Sequence, residues 1–470
     1  MNTFPYARPP LGTARLQRRN DTLETLADYA LDLRFASISE TTINSVRDCV
    51  LDCVTSAVAG ADSDAAGAAR LAAQATFGQG GLSSIWFSGR KAPAAGAILA
   101  NSTAASILDL DDGHRAATGH PGAAIIPSCL AVAEETGCSW EELVTCIVIG
   151  YEISVRIAAG RDFSRLDTMS TGKWCNYGVA AAVGRMRGLK RAELVQALAV
   201  AGVHGPNQSA AGYSKVMGNH AKEGIPWSSL TGCMAVSLAQ AGFTGPTDIL
   251  DHPAYFDRAA ILRGLGRSFV IEGVYFKPYS CCRWAHAAID GLTDILEREG
   301  LKREAIHSVE VHTFERALKL NNDADPDTLE AAQYSVPFVL GVAAVQGREA
   351  LLPLTEDSLH HPETIAFARR VELLVDDTIN AKFPETTGAR IIIKTPTGQH
   401  QREVMHPLGD PANPMSRDRL LAKFNAATRA LNAGKVLSAI AEFDNGEYAP
   451  LVCALADPGV LSSKEKQTGH

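Results

Sequence analysis

From about residue 21 to residue 243 the sequence repeats one pattern, in which apolar and small residues return every three or four positions. In TTINSVRDCVLDCVTSAVAG the apolar positions on one helical face are Val46, Cys49, Val50, Cys53, Val54, Ala57 and Val58. Gly60 closes that segment. Alanine-rich stretches such as AAGAARLAAQATFG follow, and small side chains let helices approach closely. The pattern predicts a tightly packed helical bundle.

Past Gly264 the pattern changes to alternating and β-branched residues, in SFVIEGVYFKPY, SVEVHTF and RVELLVDD. The segment RIIIKTPTGQHQREVM predicts two strands joined by a turn at Pro396–Gly398. Helical segments such as HAAIDGLTDILEREG lie between the strands. Mixed strands and helices indicate a compact α+β domain, for which we predict an antiparallel sheet.

After the strands the chain returns to helix, with Ser416 as the predicted N-cap. We therefore predict a mostly α fold with a large, discontinuous, all-helical bundle domain. Its two parts are residues 1–266 and 406–470, and the α+β domain, residues 267–405, is inserted between them. A chain of 470 residues exceeds the roughly 250–300 residues at which a single core stops growing, which also favours two domains.

Composition excludes several classes of protein. The net charge of −8 argues against a nucleic-acid partner, because phosphate binding requires a basic face. Anionic small molecules remain open, since a positive cleft can lie on an acidic surface. The first residues lack the apolar core of a signal peptide, and no run reaches the ~18 apolar residues of a membrane span, so we expect a cytoplasmic protein without a membrane partner. The ten cysteines form no CxxC pair and are expected to be free.

The first candidate site is the stretch ILDLDDGHRAATGHPGA, which holds three aspartates and two histidines between helical segments. Its titratable residues are Asp109, Asp111, Asp112, His114 and His120. Side chains spaced in this way in a turn can converge on one point. The alternative is that the aspartates cap a helix and the histidines are solvated. No metal is expected, because neither an HxxxH pair nor an EF-hand loop is present.

Two further segments carry clustered polar groups. In KPYSCCRWAHAA, Lys277, Arg283 and His286 lie between a predicted strand and the helix that follows it. Cationic side chains near a helix N-terminus favour the binding of an anion. A surface arginine and a satisfied helix histidine are the alternative. The stretch HGPNQSAAGYSKVMGNHAKEG interrupts a helical region with glycines and carries Tyr213 and Lys215. It is either a functional break or a plain connection between helices. No nucleotide-binding, serine-hydrolase or zinc-protease motif is present.

Taken together, these segments resemble the MmgE/PrpD family, which includes 2-methylcitrate dehydratase, cis-aconitate decarboxylase and iminodisuccinate epimerase. The resemblance rests, in order along nearly the whole chain, on LDLDDGHRAATGHPGAAIIP, the GYE of Gly150–Glu152, MGNHAKEG, FKPYSCCRWAHAAID, YSVPF and HPLGDPANPMS. It implies a helical domain with a smaller α+β lid, a homodimer, no cofactor and an active site between the domains. It also implies small polycarboxylate substrates, from which a proton next to a carboxylate is removed.

Residue by residue, the resemblance places Asp109 and His120 at the family's acidic and histidine positions in the first loop. His286 falls on the histidine after the CCR segment. These are expected to be catalytic, and the residues expected to bind substrate are His114, Lys277, Arg283 and Ser335.

The chain departs from the family pattern at three positions. The histidine after the GYE helix is Met169, and the tyrosine of the SxxY segment is Phe338. The lysine upstream of the GN pair falls on Tyr213, with Lys215 two places later. Dehydration and decarboxylation need a group that helps hydroxide or carbon dioxide leave, so these losses weaken both reactions.

Epimerisation needs less, namely one base that removes the proton and a second acid that returns it to the opposite face. Histidine as a residue type titrates near neutral pH, which makes His120 and His286 suitable, and Tyr213 or Lys215 is the candidate on the other side. The sequence therefore favours a cofactor-independent epimerase of an amino- or hydroxy-polycarboxylate, most like iminodisuccinate epimerase. The alternatives are a dehydratase of the 2-methylcitrate kind and an inactive binding subunit.

Overall fold

The computed structural model describes residues 21–166, 168–206 and 218–461. It is 57% helical, which confirms the prediction of a mostly α protein with a small sheet. The longer helices are α1 (Thr22–Asp32), α2 (Glu40–Ala59), α3 (Asp64–Phe77), α4 (Ala94–Ser106), α5 (Gly122–Thr136), α6 (Trp140–Ala159), α7 (Cys175–Met186), α8 (Arg191–Val203), α9 (Ile225–Gln240), α11 (His286–Glu299), α13 (Val336–Val345), α16 (Arg417–Ala427), α17 (Gly434–Asp444) and α18 (Ala449–Ala456). The short helices are α10 (Arg258–Leu262), α12 (Leu329–Gln333), α14 (Pro362–Ala368) and α15 (Asp377–Asn380). None of the described helices has the length and apolarity needed to cross a bilayer.

Eight strands accompany the helices in the described residues. They are β1 (Ser83–Ile85), β2 (Arg90–Ala92), β3 (Gly113–His114), β4 (Val274–Tyr275), β5 (Ser308–Thr313), β6 (Val371–Val375), β7 (Ala389–Thr395) and β8 (Gly398–Val404). Strands β1 and β2 form one antiparallel pair, and β3 pairs antiparallel with β4. The remaining four form one sheet in the order β6-β5-β7-β8.

The helical bundle follows the apolar pattern closely. Helix α2 starts after Ser39, whose hydroxyl oxygen accepts from the backbone N–H of Thr42 at 3.1 Å, and it ends at Gly60. Helices α6 and α7 meet backbone to backbone, since a Cβ on Gly178 would lie 2.2 Å from the carbonyl oxygen of Gly150. Small residues at such positions allow the close packing that the sequence predicted.

The four-stranded sheet is partly as predicted. The hairpin of β7 and β8 is confirmed, with Thr395 opposite Gly398 across the turn. The prediction of a purely antiparallel sheet is wrong, because β5 and β6 run parallel. Three helices, α12 to α14, lie between these two strands, and such a crossover returns the chain in its original direction.

Buried apolar side chains form two main clusters, one in the helical part of the chain and one in the α+β part. The larger holds the helices of the first part of the chain together with Phe276 and the C-terminal helices from Met415 onward. The smaller runs from Tyr279 to Ile393 and packs α11 and α13 against the sheet. The strand expected in SFVIEGVYFKPY shortens to β4, and the residues before it pack with the helical cluster.

The C-terminal helices return to the first part of the chain. Ser416 is confirmed as the N-cap of α16, since its hydroxyl oxygen accepts from the backbone N–H of Arg419. The buried Lys423 of this helix donates to the carboxylate of Asp52 and to the main-chain oxygen of Leu110. Lys423 therefore links the loop after α4 to α2 and α16. All ten cysteines are free.

Candidate active site

The loop between α4 and α5 forms one wall of the candidate site. At Asp109 the backbone turns with a φ of +53°, in the left-handed region that residues other than glycine seldom occupy. Further along, the Asp112 carboxylate accepts from the backbone N–H of Gly122 at 2.9 Å and from the Tyr151 hydroxyl at 2.6 Å. A carboxylate at this end of α5 also meets the positive end of the helix dipole. The loop is therefore fixed at both of these points.

Two ammonium groups face the buried carboxylate of Asp109. Its Oδ1 lies 3.3 Å from Nζ of Lys277 and 3.8 Å from Nζ of Lys222. Burial by itself raises the pKa of Asp109, but the two lysines outweigh it and hold that pKa well below its usual value. Asp109 is therefore ionised at neutral pH. Its other oxygen, Oδ2, is buried and has no hydrogen-bond partner among the described residues.

His120 is held in one tautomer. Its Nδ1 lies 2.7 Å from the main-chain oxygen of Asp112, and because a carbonyl oxygen only accepts, Nδ1 carries the hydrogen. In the neutral ring Nε2 therefore presents a lone pair, and it lies 3.6 Å from Oε1 of Glu223. The backbone N–H of His120 donates to the Thr171 hydroxyl at 3.0 Å. The Nε2 nitrogen of His120 therefore has a fixed position beside the carboxylates of Glu223 and Asp109.

Glu223 is itself fixed by Thr171. Its Oε2 accepts from the backbone N–H of Thr171 at 3.0 Å and from the hydroxyl of the same residue. Its Oε1 is left beside Nε2 of His120. A proton that arrives at Nε2 therefore lies next to a negative charge whose position does not depend on the substrate.

Lys222, just before α9, joins the helical and α+β domains. Its φ is +40°, a second left-handed residue at the site. Its Nζ donates to the main-chain oxygens of Ser106 and Ile107 at 3.1 and 2.9 Å and to Oε1 of Gln333 at 2.7 Å. Burial lowers the pKa of Lys222, but three accepting oxygens hold the ammonium form. Strained backbone at a buried charged site is typical of functional residues.

Tyr334 is the contribution of the α+β domain. It lies at the junction of α12 and α13 and is 2% exposed, and its hydroxyl has no hydrogen-bond partner among the described residues. The Nζ of Lys222 lies 5.8 Å from the centre of its ring. A buried phenol without a partner is unusual and marks a place where a ligand can bind.

These groups border one small cavity. Its lining includes Asp109, His120, Lys222, Glu223 and Tyr334. Of these, only Tyr334 comes from residues 267–405, and the others come from the helical part of the chain before Gly264. A wider surface groove along α11 and β8 holds none of the residues predicted from the sequence.

Three of the cavity groups have the geometry of metal ligands. One ligand atom each of Asp109, His120 and Glu223 lie within 4.8 Å of one another. The ammonium groups of Lys277 and Lys222 already face Asp109, and their positive charges oppose a cation at the same carboxylate. The arrangement therefore fits proton transfer better than metal binding, and the absence of a metal stays a prediction.

Arg283 and His286 do not line the cavity. The terminal nitrogens of Arg283 donate to the main-chain oxygens of Leu408 at 2.8 Å and Pro407 at 3.0 Å. A third contact, at 3.2 Å, is to Nδ1 of His286, whose Nε2 donates to the oxygen of Cys281 at 3.1 Å. Burial and the charges of Arg283 and Lys277 lower the pKa of His286 well below its usual value. Their catalytic and binding roles stay predictions, and the ring nitrogens of His286 already have protein partners.

Two other predicted binding residues also have internal partners. His114 accepts from the backbone N–H of Ala116 at Nδ1 and donates from Nε2 to the oxygen of Val270, and burial lowers its pKa to about 4. The hydroxyl of Ser335 caps α13 by accepting from the backbone N–H of Phe338. Neither residue lines the cavity.

Tyr213 and Lys215 lie outside the described residues. The two other positions that depart from the family pattern are described. Met169 is buried, and Phe338 lies fully buried in the smaller apolar cluster.

Sequence reasoning assigned no role at the site to Lys222, Glu223 or Tyr334. All three lie in MGNHAKEG and YSVPF, two of the segments that carry the family resemblance. The signal was therefore present, but a sequence does not tell which side chains of a segment enter a cavity.

Comparison with known families gives two matches. The MmgE/PrpD N-terminal domain matches residues 24–263, and the MmgE/PrpD C-terminal domain matches residues 279–442. The chain belongs to the MmgE/PrpD family. MmgE/PrpD proteins are generally enzymes, namely dehydratases, decarboxylases and epimerases, and this chain is an enzyme of that general type. The second match begins at residue 279, where the apolar core changes from the helical to the α+β cluster.

Proposed function

We propose that this MmgE/PrpD protein is a cofactor-independent epimerase that acts on a small polycarboxylate such as iminodisuccinate. The observation that carries the proposal is the His120 ring, which is fixed by Asp112 and presents a basic nitrogen in a cavity that is also lined by Lys222. A weakly acidic proton next to a carboxylate requires such a base and a nearby positive charge.

In the proposed reaction, Nε2 of His120 removes the proton from the carbon next to a substrate carboxylate. The C–H bond breaks, and its electron pair passes into the enolate form of that carboxylate. Glu223 and Asp109 lie beside the imidazolium that results, and their charges favour it. His120 is therefore the residue on which turnover depends most.

Positive charge for the enolate is supplied by the lysines of the site. The ammonium of Lys222 lines the cavity, and that of Lys277 lies behind Asp109. Both are buried, so their attraction for developing negative charge is screened less than it would be in water. The fixed oxygen partners of Lys222 hold this charge in place before the substrate arrives.

The second proton carrier distinguishes an epimerase from an enzyme that only exchanges the proton. Tyr213 and Lys215 remain the candidates from the sequence. A dehydratase would use its acid differently, to protonate a departing hydroxyl group. The homodimer also stays a proposal that follows from the family.

Proton NMR in deuterated water tests the proposal directly. Single stereoisomers of iminodisuccinate and of 2-methylcitrate are incubated with the protein. Deuterium at the acidic carbon together with the appearance of the second stereoisomer supports the epimerase. A new alkene signal without scrambling identifies a dehydratase instead.

An inactive binding subunit would change neither substrate. The matched variant His120→Ala separates enzyme activity from a contaminant, because it must lose turnover while it keeps its folded state by circular dichroism. Equal turnover in both proteins would rule out the proposed base.

A further inference from the structure

We propose that Tyr334 is the second proton carrier of this site, the group that delivers a proton to the substrate face turned towards the α+β domain. The inference rests on the proposed epimerase function. His120 belongs to the helical part of the chain, whereas Tyr334 belongs to the YSVPF segment of the α+β part. Among the described residues that line the cavity, Tyr334 is the only one from the α+β part.

The position of the Tyr334 hydroxyl carries the inference. It is buried and borders the cavity, and no described residue accepts its hydrogen. A phenol in the core of a protein normally has a partner, because burying an unpaired hydroxyl destabilises the folded state. A substrate oxygen or the carbon being protonated would use this free hydrogen.

The residues on both sides of Tyr334 hold it rigidly. The side chain of Gln333 donates to the oxygen of Ile107 at 3.1 Å and accepts from Lys222 at 2.7 Å. On the other side, Ser335 caps α13. The Tyr334 phenol therefore belongs to the α+β part of the chain and is held against the loop after α4. A proton carrier requires such a fixed position.

The charge of the surroundings determines which way the proton moves. Burial and the charges of Asp109 and Glu223 raise the pKa of Tyr334 well above its usual value, so the phenol holds its proton until a strong base, the enolate carbon, is formed. The Lys222 ammonium, 5.8 Å from the ring centre, offsets the charge of the phenolate that remains.

The proposed step is balanced in atoms and charge. His120 gains the proton that leaves the first face, and Tyr334 loses a proton as a new C–H bond forms on the second face. The site is then left with an imidazolium and a phenolate. One proton passes from His120 to Tyr334 through water to restore the starting state, or the same pair catalyses the reverse reaction.

The variant Tyr334→Phe tests the role, with Tyr177→Phe as the control because Tyr177 is a buried tyrosine of α7 away from the cavity. In deuterated water we expect Tyr334→Phe to lose epimerisation by about 10²-fold or more. It should still exchange the proton of the one stereoisomer whose hydrogen faces His120, with retention. Tyr177→Phe should epimerise as the wild type does.

Two results with an active wild type overturn the role of Tyr334. The first is epimerisation by Tyr334→Phe within a few-fold of the wild type. The second is an equal loss of exchange and epimerisation, which marks a binding or structural role. The variant Tyr334→His provides a second readout, because an imidazole carries protons and should restore part of the epimerisation that Phe lacks. A wild type that exchanges no such proton refutes the proposed function itself and the role of Tyr334 with it.

Discussion

Two buried charged clusters of this protein are similar in composition but different in what their atoms face. The pocket cluster consists of Asp109, His120, Lys222 and Glu223, and the junction cluster consists of Arg115, Arg283, His286 and Asp410. In the junction cluster both ring nitrogens of His286 and both terminal nitrogens of Arg283 meet protein atoms, whereas Nε of Arg283 is buried without a described partner and away from the cavity.

In the pocket cluster, Oδ2 of Asp109 has no described partner, and Nε2 of His120 lies beside the cavity at 3.6 Å from Oε1 of Glu223. Burial and charge are therefore shared by both clusters. The pocket cluster differs from the junction cluster because some of its polar atoms border a cavity and are available to a ligand.

The largest expected contrast is between the two histidines. The variant His120→Gln should lower turnover by about 10³-fold, because a general base contributes about 10²–10⁴-fold. His286→Gln should leave the turnover of the folded protein within a few-fold and lower its free energy of unfolding, because it breaks two buried hydrogen bonds. Steady-state kinetics and urea unfolding measure both. Equal losses of turnover would erase the distinction between the clusters.

The junction cluster should respond in stability rather than in catalysis. Arg283→Met removes a buried cation that donates to Pro407 and Leu408 and leaves the carboxylate of Asp410 with one arginine fewer. We expect a loss of about 3 kcal/mol in the free energy of unfolding. Turnover per folded molecule should change little. A Michaelis constant that rises tenfold or more without a loss of stability would instead support the predicted substrate-binding role of Arg283.

A smaller effect on catalysis is expected at Glu223. In Glu223→Gln an oxygen still accepts from Thr171, while the amide N–H₂ can turn towards Nε2 of His120 and occupy its lone pair. Turnover should fall about tenfold, with the Michaelis constant nearly unchanged. Glu135→Gln, which weakens a pair with Arg187 outside the cavity, is the control. Identical kinetics in the two variants would remove Glu223 from the proposed proton-transfer group.

The pH dependence of stability reports on the loop beside the cavity. Burial and the charge of Asp52 raise the pKa of Asp112 from 3.8 to about 7. A raised acid pKa means that the folded state binds the proton more tightly, so the contribution of Asp112 to stability is greatest below about pH 4 and is lost as pH rises to about 7. The fall from this group should be about 1.4 kcal/mol per pH unit at most. Asp112→Asn lacks this contribution, and urea unfolding at pH 5, 6 and 7 should show the flatter curve. Parallel curves would contradict the assignment.

The smallest effect is expected from chelators. The metal-like geometry of Asp109, His120 and Glu223 is opposed by two lysines, so exhaustive treatment with EDTA should leave turnover within twofold. Activity lost on chelation and restored by one divalent ion would show that the pocket cluster binds a metal after all.

Much of the fold could be predicted from local patterns. The helical face of α2, its end at Gly60, the Ser416 cap and the β7–β8 hairpin depend on residues that are close in sequence. The parallel pairing of β5 with β6 was missed, because it depends on a crossover of three helices between strands far apart in the chain.

The site could be predicted only in part. The resemblance located Asp109 and His120, which meet in the cavity, but it gave equal weight to Arg283 and His286, which do not line it. The difference depends on side-chain direction and on hydrogen-bond partners more than 100 residues away, such as those of Arg283 at Pro407 and Leu408.

The sequence by itself determined the helical periodicity, the change of texture after Gly264 and the family, because these are properties of neighbouring residues and of ordered motifs. Only the tertiary structure decided that Lys222, Glu223 and Tyr334 share one cavity with His120. Tyr334 lies more than 200 residues from His120 in the chain, and the two are brought together by the packing of one domain against the other. Which polar atoms this packing leaves without a partner is not encoded in any single segment.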